Sequence, residues 1–202
     1  DTGLDYQLES SNGLQSSIMG ISREGEAYIH EILRKNTYKD PILAVIRENS
    51  CNAFDAHIES GIRNVPIQVT LPSFGDPKIS IRDFGFGLSE EDVRNVFGMY
   101  GASTKRNKHE QTGQLGIGSK SSFSYTDSFV IISRYNGEKK TYNAVINTHG
   151  IGELLLFCSE ELLGENTGLE IIVNVEVKDI DAFHSKALDF FSHWRIKPSI
   201  LN

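Results

Sequence analysis

The stretch from Asp40 to Gly61, DPILAVIRENSCNAFDAHIESG, decides how this chain is read. Asp40 followed by Pro41 is a helix start: the Asp side chain can accept from a free amide of the first turn, and Pro fits a position that needs no N–H. The helix is predicted to run to about His57 and to close near Gly61. Ile42, Val45, Ile46, Ala53 and Ala56 form an apolar stripe along it. At about 100° per residue, Glu48, Asn52 and Asp55 fall within about 60° of one another beside that stripe. An amide and two acids thus sit at the border of a core, where they can hold a cation and a water. A solvated helix flank has the same spacing, so the motif alone leaves both readings open.

Downstream, Val65, Ile67, Val69 and Leu71 alternate, Pro72 to Pro77 turn the chain, and Ile79 and Ile81 alternate again, which predicts two strands. Asp83, in Arg82-Asp83-Phe84-Gly85-Phe86-Gly87, has the parity of Ile79 and Ile81 and should face the buried side. A carboxylate there is costly unless it finds donors, and the nearby glycines let backbone approach a flat ligand. An exocyclic amine reaching Asp83 explains both features; an ordinary Asp-Gly turn is the alternative. Ser89 with Asp92 resembles a capping box opening a short helix through Val93, Val96 and Phe97.

Residues 101–118 are polar and glycine-rich without periodicity, which is long for a passive loop. They end in Gly113-Gln114-Leu115-Gly116-Ile117-Gly118, followed by Ser119-Lys120-Ser121-Ser122-Phe123. Glycines ahead of a helix let backbone N–H groups point at phosphate oxygens. A Walker A loop is rejected because Ser119 stands where its Lys should be, and the dinucleotide pattern fails at Ser121. The second half reads as a meander: Phe129–Arg134, a turn at Asn136-Gly137, Thr141–Asn147, Glu153–Cys158 and Leu169–Val177. In the last strand Leu169, Ile171, Val173, Val175 and Val177 are expected to point one way, and a closing helix is expected over 180–194. Residues 1–20 read as an N-terminal arm, an edge strand at most, and 22–35 as a helix. The element pattern is that of an α+β sandwich with a mostly antiparallel sheet.

In order and spacing, the three stretches resemble the boxes of the GHKL ATPases, which include DNA gyrase B subunits, the ninety-kilodalton heat-shock chaperones, MutL and histidine kinases. Glu48 to Ala56 matches E-x-x-x-N-x-x-D-A, Asp83 to Gly87 matches D-x-G-x-G, and Gly113 to Gly118 matches G-x-x-G-x-G. The resemblance covers about residues 25–175. It implies a two-layer α/β sandwich of the Bergerat type, with a mixed, mostly antiparallel sheet and helices on one face, in one ATP-binding domain over 21–202. It also implies ATP and Mg²⁺ as cofactors. Asn52 would bind the metal and Glu48 would orient and deprotonate the attacking water. Asp55 would support the adenine and ribose side, and Asp83 would accept from the adenine amine. Gly85 and Gly87 would admit the purine, and Gly113, Gln114, Leu115, Gly116, Ile117 and Gly118 would bind phosphates. Residues 98–118 would form a lid. The chain also looks like the amino-terminal domain of phage rIIA proteins through the Ile21–Asn36 helix, the Arg47-Glu48 helix and the lid. One departure stands out: family members carry Thr after the Gly of a late strand, where this chain has Thr167-Gly168-Leu169. Thr167 could take that role only if the strand shifts. Lys105 and Lys120 could replace a lysine that relatives draw from a following domain, but a solvated lysine is the simpler reading of each.

Composition narrows the partners. With 20 basic against 27 acidic side chains in 202 residues, the net charge of -7 argues against a broad nucleic-acid footprint, although Lys105, Arg106 and Lys108 cluster in the lid. No apolar run is long enough to span a bilayer, and Cys51 and Cys158 make no disulfide scaffold, so a cytoplasmic setting (the host's, for a phage protein) is expected. His30 reads as an ordinary helix residue, and no histidine or cysteine spacing suggests zinc. Three classes remain: a slow ATPase whose lid closure drives homodimerisation or partner contact, a nucleotide-gated module without turnover, and a DNA-processing subunit. A retained Glu48 favours the first, since binding alone needs no general base.

Overall fold

The computed structural model describes residues 38–98, 118–147 and 152–201, together with the backbone of 16–18. In chain order these form β1 (Ser16–Ile18), α1 (Pro41–Glu59), β2 (Gln68–Thr70), β3 (Lys78–Arg82), α2 (Glu90–Gly98), β4 (Ser128–Tyr135), β5 (Glu138–Ile146), β6 (Gly152–Glu161), β7 (Gly168–Asn174), α3 (Ile180–Ser192) and β8 (Ser199–Leu201). Short 3-10 turns occupy Gly118–Ser124 and Val177–Asp179.

The strands make one sheet in the order β1-β6-β5-β4-β7-β3-β2-β8, antiparallel throughout except for the parallel β2–β8 pair. Register explains its two faces. Val69 lies opposite Ile81, Ile81 opposite Ile171, Ile171 opposite Ile131 and Ile131 opposite Tyr142, so these side chains form one row on one face. All five are buried, in one core with Val45, Ile46 and Ala53 of α1, Val93 and Phe97 of α2, Phe123, and Phe183, Ala187 and Phe191 of α3. Each such side chain contributes roughly 1.5–3 kcal/mol by leaving water. The other face carries polar pairs: Ser80 donates to Glu170 at 2.6 Å, and Arg134 spans Glu165 and Glu170 at 2.7 and 3.0 Å. The chain is therefore an α+β two-layer sandwich with its helices on one face of a mixed, mostly antiparallel sheet.

Local signals explain the ends of the elements. Asp40 caps α1 by accepting from the Leu43 amide at 3.0 Å and also pairs with Lys186 of α3. Gly61, at φ +74, follows the helix end. Ser89 accepts from the Asp92 amide at 3.1 Å and donates to its carboxylate at 2.6 Å, completing the cap of α2. Asn136 and Gly137, at φ 48 and 80, give the β4–β5 hairpin the left-handed backbone a two-residue turn requires.

Two expectations change, and one strand is new. The first alternating run yields a strand only over Gln68–Thr70, and Val65 is exposed in the loop before it. β7 ends at Asn174, so Val177 is exposed in the following 3-10 turn rather than aligned with Val173. β8 joins the sheet beside β2 although Ser199-Ile200-Leu201 is too short to show a period. The expected helix over 22–35 lies outside the described residues, as does the arm apart from β1.

Candidate functional site

The polar flank of α1 meets both glycine-containing stretches. Asn52 is exposed, while Glu48 and Asp55 are half-buried. Glu48 accepts from Arg47 through Nε at 2.9 Å and Nη2 at 2.8 Å. A methyl group placed on Gly118 would lie 3.4 Å from Glu48 Oε2 and 4.0 Å from Asn52 Nδ2. The last glycine of the third motif therefore lies against the acid and the amide of the first. What holds it there is Asn49, which is buried and donates to Val45 O at 2.8 Å and to Ser122 Oγ at 3.1 Å. Gly113, Gln114, Leu115, Gly116 and Ile117 lie outside the described residues, as does the lid between Gly98 and Gly118.

One turn further along α1 stands the second stretch. Asp83 extends the β3–β7 ladder, its amide donating to Leu169 O at 2.9 Å, and its side chain turns to the helix-covered face, where it is buried. Its Oδ1 accepts from the Gly85 amide at 2.8 Å. Burial pushes the Asp83 carboxyl above the usual aspartate range, against the pull of its backbone hydrogen bonds. A methyl on Gly85 would meet Ser60 Oγ at 3.0 Å and both Ala56 O and Asp83 Oδ1 at 3.1 Å, so this glycine lets the loop lie flat on α1. Ala56 follows Asn52 by four residues, a rise of about 6 Å on the same side of the helix. Glu48, Asn52 and Gly118 at one end, and Ala56, Gly85 and Asp83 at the other, form one continuous strip.

A histidine kinase-, DNA gyrase B- and HSP90-like ATPase family matches residues 43–154, more than half of the chain. The chain belongs to that family. Similar proteins include the chaperone protein HtpG of Rickettsia typhi, 27% identical over 154 residues, covering 71% of this chain and 23% of the relative. HtpG of Rickettsia canadensis is 29% identical over 149 residues, covering 68% and 22%. The chain thus spans less than a quarter of the length of these relatives.

Within this GHKL ATPase domain, two residues escaped the sequence reading. His57 and Ser60, at the end of α1, flank the Asp83 contact: the Phe84 amide donates to His57 Nε2 at 2.8 Å, and the Phe86 amide donates to Ser60 Oγ at 3.1 Å. With the Gly85 amide on Asp83, three successive amides each have a side-chain acceptor. The signal for His57 was available, since it shares the helical period of the buried Ile46 and Ala53, and a buried imidazole must find partners. Thr167 is engaged by the second stretch. Its hydroxyl donates to Gly85 O at 2.6 Å, and β7 stays in regular register with β3, so no shift brings it forward. Leu169 occupies the position opposite Asp83 and packs on the core.

Lys120 corrects an expectation, for it is fully buried and not solvated. Its Nζ donates to Val96 O at 2.9 Å, beside the Ser119 hydroxyl at 3.1 Å, and burial lowers its pKa to about 8. Two donors from the residues after Gly118 thereby hold a carbonyl near the end of α2, tying the Gly118–Ser124 turn to that helix. Lys105 lies outside the described residues. Among the described residues, no group of three or more His, Cys, Asp or Glu side chains could hold a metal ion, and no helix is long and apolar enough to cross a membrane.

Proposed function

We propose that this domain binds ATP with Mg²⁺ and hydrolyses it slowly. The observation that carries the reading is the strip on α1, which lines up an acid and an amide beside Gly118 with a buried carboxylate one turn away. The donor set suits a hard cation that takes most of its oxygens from phosphates and water, because Asn52 offers a single amide oxygen and no full protein cage surrounds it among the described residues. A magnesium ion held at Asn52 would neutralise charge on the phosphates. Glu48 orients the water and takes its proton, positioned by the two Arg47 contacts. Asp83 accepts from the exocyclic amine of adenine, with Gly85 and Gly87 giving the ring its approach, and Asp55 supports the ribose side. Residues 113–118 bind phosphates through their amides, and the lid over 98–118 closes on ATP to gate contact with a second copy or another protein. The narrower likeness to phage rIIA proteins rests in part on residues 21–36, outside the described chain, and stays a resemblance.

Calorimetric titration with ATP and ADP, with and without Mg²⁺, tests this reading. A metal-dependent preference for the triphosphate that disappears in Asn52→Ala is expected. Glu48→Ala should bind ATP as the wild type does and lose turnover by at least about a hundredfold. Equal phosphate release from the two chains would remove the enzyme reading and leave a nucleotide-gated module.

A further inference from the structure

Among the buried polar groups of α1, His57 has no part in the chemistry proposed above. His57 is completely buried, near the C-terminal end of the helix. Its two ring nitrogens go to different segments: Nδ1 to Val65 O at 2.9 Å, in the loop entering β2, and Nε2 to the Phe84 amide at 2.8 Å, in the loop leaving β3. The Phe84 contact fixes the tautomer. An amide N–H can only donate, so Nε2 is the acceptor, and Nδ1 carries the proton and donates to Val65 O. The Phe84 ring also lies against the imidazole, with centroids 6.0 Å apart. His57 therefore anchors the residue directly after Asp83, while Ser60 anchors Phe86, and Asp83 itself holds the amide between them.

We propose that His57 is a positioning residue for base recognition: by holding the Phe84 amide on α1, it fixes the orientation in which the Asp83 carboxylate and the Gly85 backbone meet the purine. This rests on the assignment of Asp83 as the adenine acceptor. Loss of the Nε2 acceptor frees the Phe84 amide, the loop turns toward another acceptor, and Asp83, one residue away, turns with it. The phosphate end is set by different contacts, Asn49 with Ser122 and Gly118 against Glu48, and stays in place. The defect is thus confined to the base end.

Substitutions separate the two nitrogens. In His57→Gln, Oε1 reaches the place of Nε2 and can accept from Phe84; in His57→Asn the amide reaches only the place of Nδ1; His57→Leu fills the space and offers neither. Calorimetric Kd values for Mg-ATP and Mg-ADP are measured on the full 202-residue chain, with a thermal melt followed by circular dichroism to confirm folding. His57→Gln is expected to stay within about threefold of wild type, and His57→Asn and His57→Leu to weaken both nucleotides by about tenfold, with the ATP-to-ADP ratio and the Mg²⁺ dependence unchanged. Ser60→Ala, at a half-exposed position that leaves the core intact, should weaken both by about threefold and carries the test if His57→Leu does not fold. The proposal is overturned if folded His57→Leu, or Ser60→Ala in its place, binds as the wild type does, if Gln and Asn behave alike, or if the loss falls on the Mg²⁺ dependence. A wild-type chain that binds neither nucleotide overturns the ATP reading itself, a different result from either.

Discussion

Asp83 shows what a buried carboxylate does to a fold and to a site at once. It is 4% exposed, with one oxygen on the Gly85 amide, and its pKa is raised because burial penalises the charged form more than its hydrogen bonds favour it. For an acid with a raised folded pKa, the stabilising contribution is present below the unfolded value of 3.8 and is lost as pH climbs through the folded value. Once ionised, the carboxylate is therefore a burden on the free protein. Asp83→Asn keeps an oxygen for Gly85 and removes that burden, so its ligand-free melting temperature should rise, by about 2–4 °C for each kcal/mol relieved. The same change sets an amide N–H against the adenine amine, and ATP affinity should fall by about tenfold or more. A melt and a titration on one sample check both signs; a folded variant that binds ATP as the wild type does would show that Asp83 makes no contact with the base. The parity of Asp83 with Ile79 and Ile81 made its burial legible in the sequence. The acceptors of its neighbours were not, because His57 lies 27 and Ser60 26 residues from the amides they hold.

Among the elements, the regular ones were legible and the tight approaches were not. α1 carried its cap, its apolar period and its closing glycine in one stretch, and β4 and β5 announced their hairpin at Asn136-Gly137. The 3-10 turn Gly118–Ser124 follows no period, and its buried lysine is unreadable without knowing that Val96 faces it. Glycine roles were equally hidden. Gly87, at φ +73, would place a methyl 2.2 Å from Arg134 O, and Gly168, at φ +129, would place one 2.1 Å from Asp83 O, so β3, β4 and β7 approach the site through positions only glycine fits. Gly75, in the loop before β3, has nothing within 4 Å. Gly87→Ala and Gly168→Ala should each lower unfolding free energy by about 2 kcal/mol or more, and Gly75→Ala should stay within about 0.5 kcal/mol. Urea unfolding measures all three; equal midpoints would mean that the loops around Asp83 have room to give.

Over the whole molecule, apolar and polar burial meet at α1. Around α3 the core is aromatic and apolar, with Phe183, Ala187 and Phe191 against Tyr125 and Trp194. Near α1 and the Gly118–Ser124 turn the same core also buries polar groups: Asn49, Ser50, His57, Asp83, Lys120, Ser121 and Ser122. Buried titratable groups make stability depend on pH in a particular way. The folded pKa of Lys120 is lowered from 10.5 to about 8 by burial, so between those values the unfolded chain holds a proton that the folded chain has released. Stability must then increase as pH goes from about 8 towards 10.5, and it is flat in this respect below 8, where both states are protonated. Tyr125 acts oppositely: burial first, and then its bond to Asp179, raise its pKa from 10.0 to about 12, so its contribution fades as pH rises through that interval. Denaturant midpoints for the wild type should therefore climb above pH 8 and turn over beyond about pH 10. Lys120→Met should remove the climb and Tyr125→Phe should soften the fall, each leaving the other limb intact. If Lys120→Met titrates like the wild type, the buried lysine has an ordinary pKa. The buried group whose titration is perturbed would then be Asp83, the residue proposed to accept from adenine.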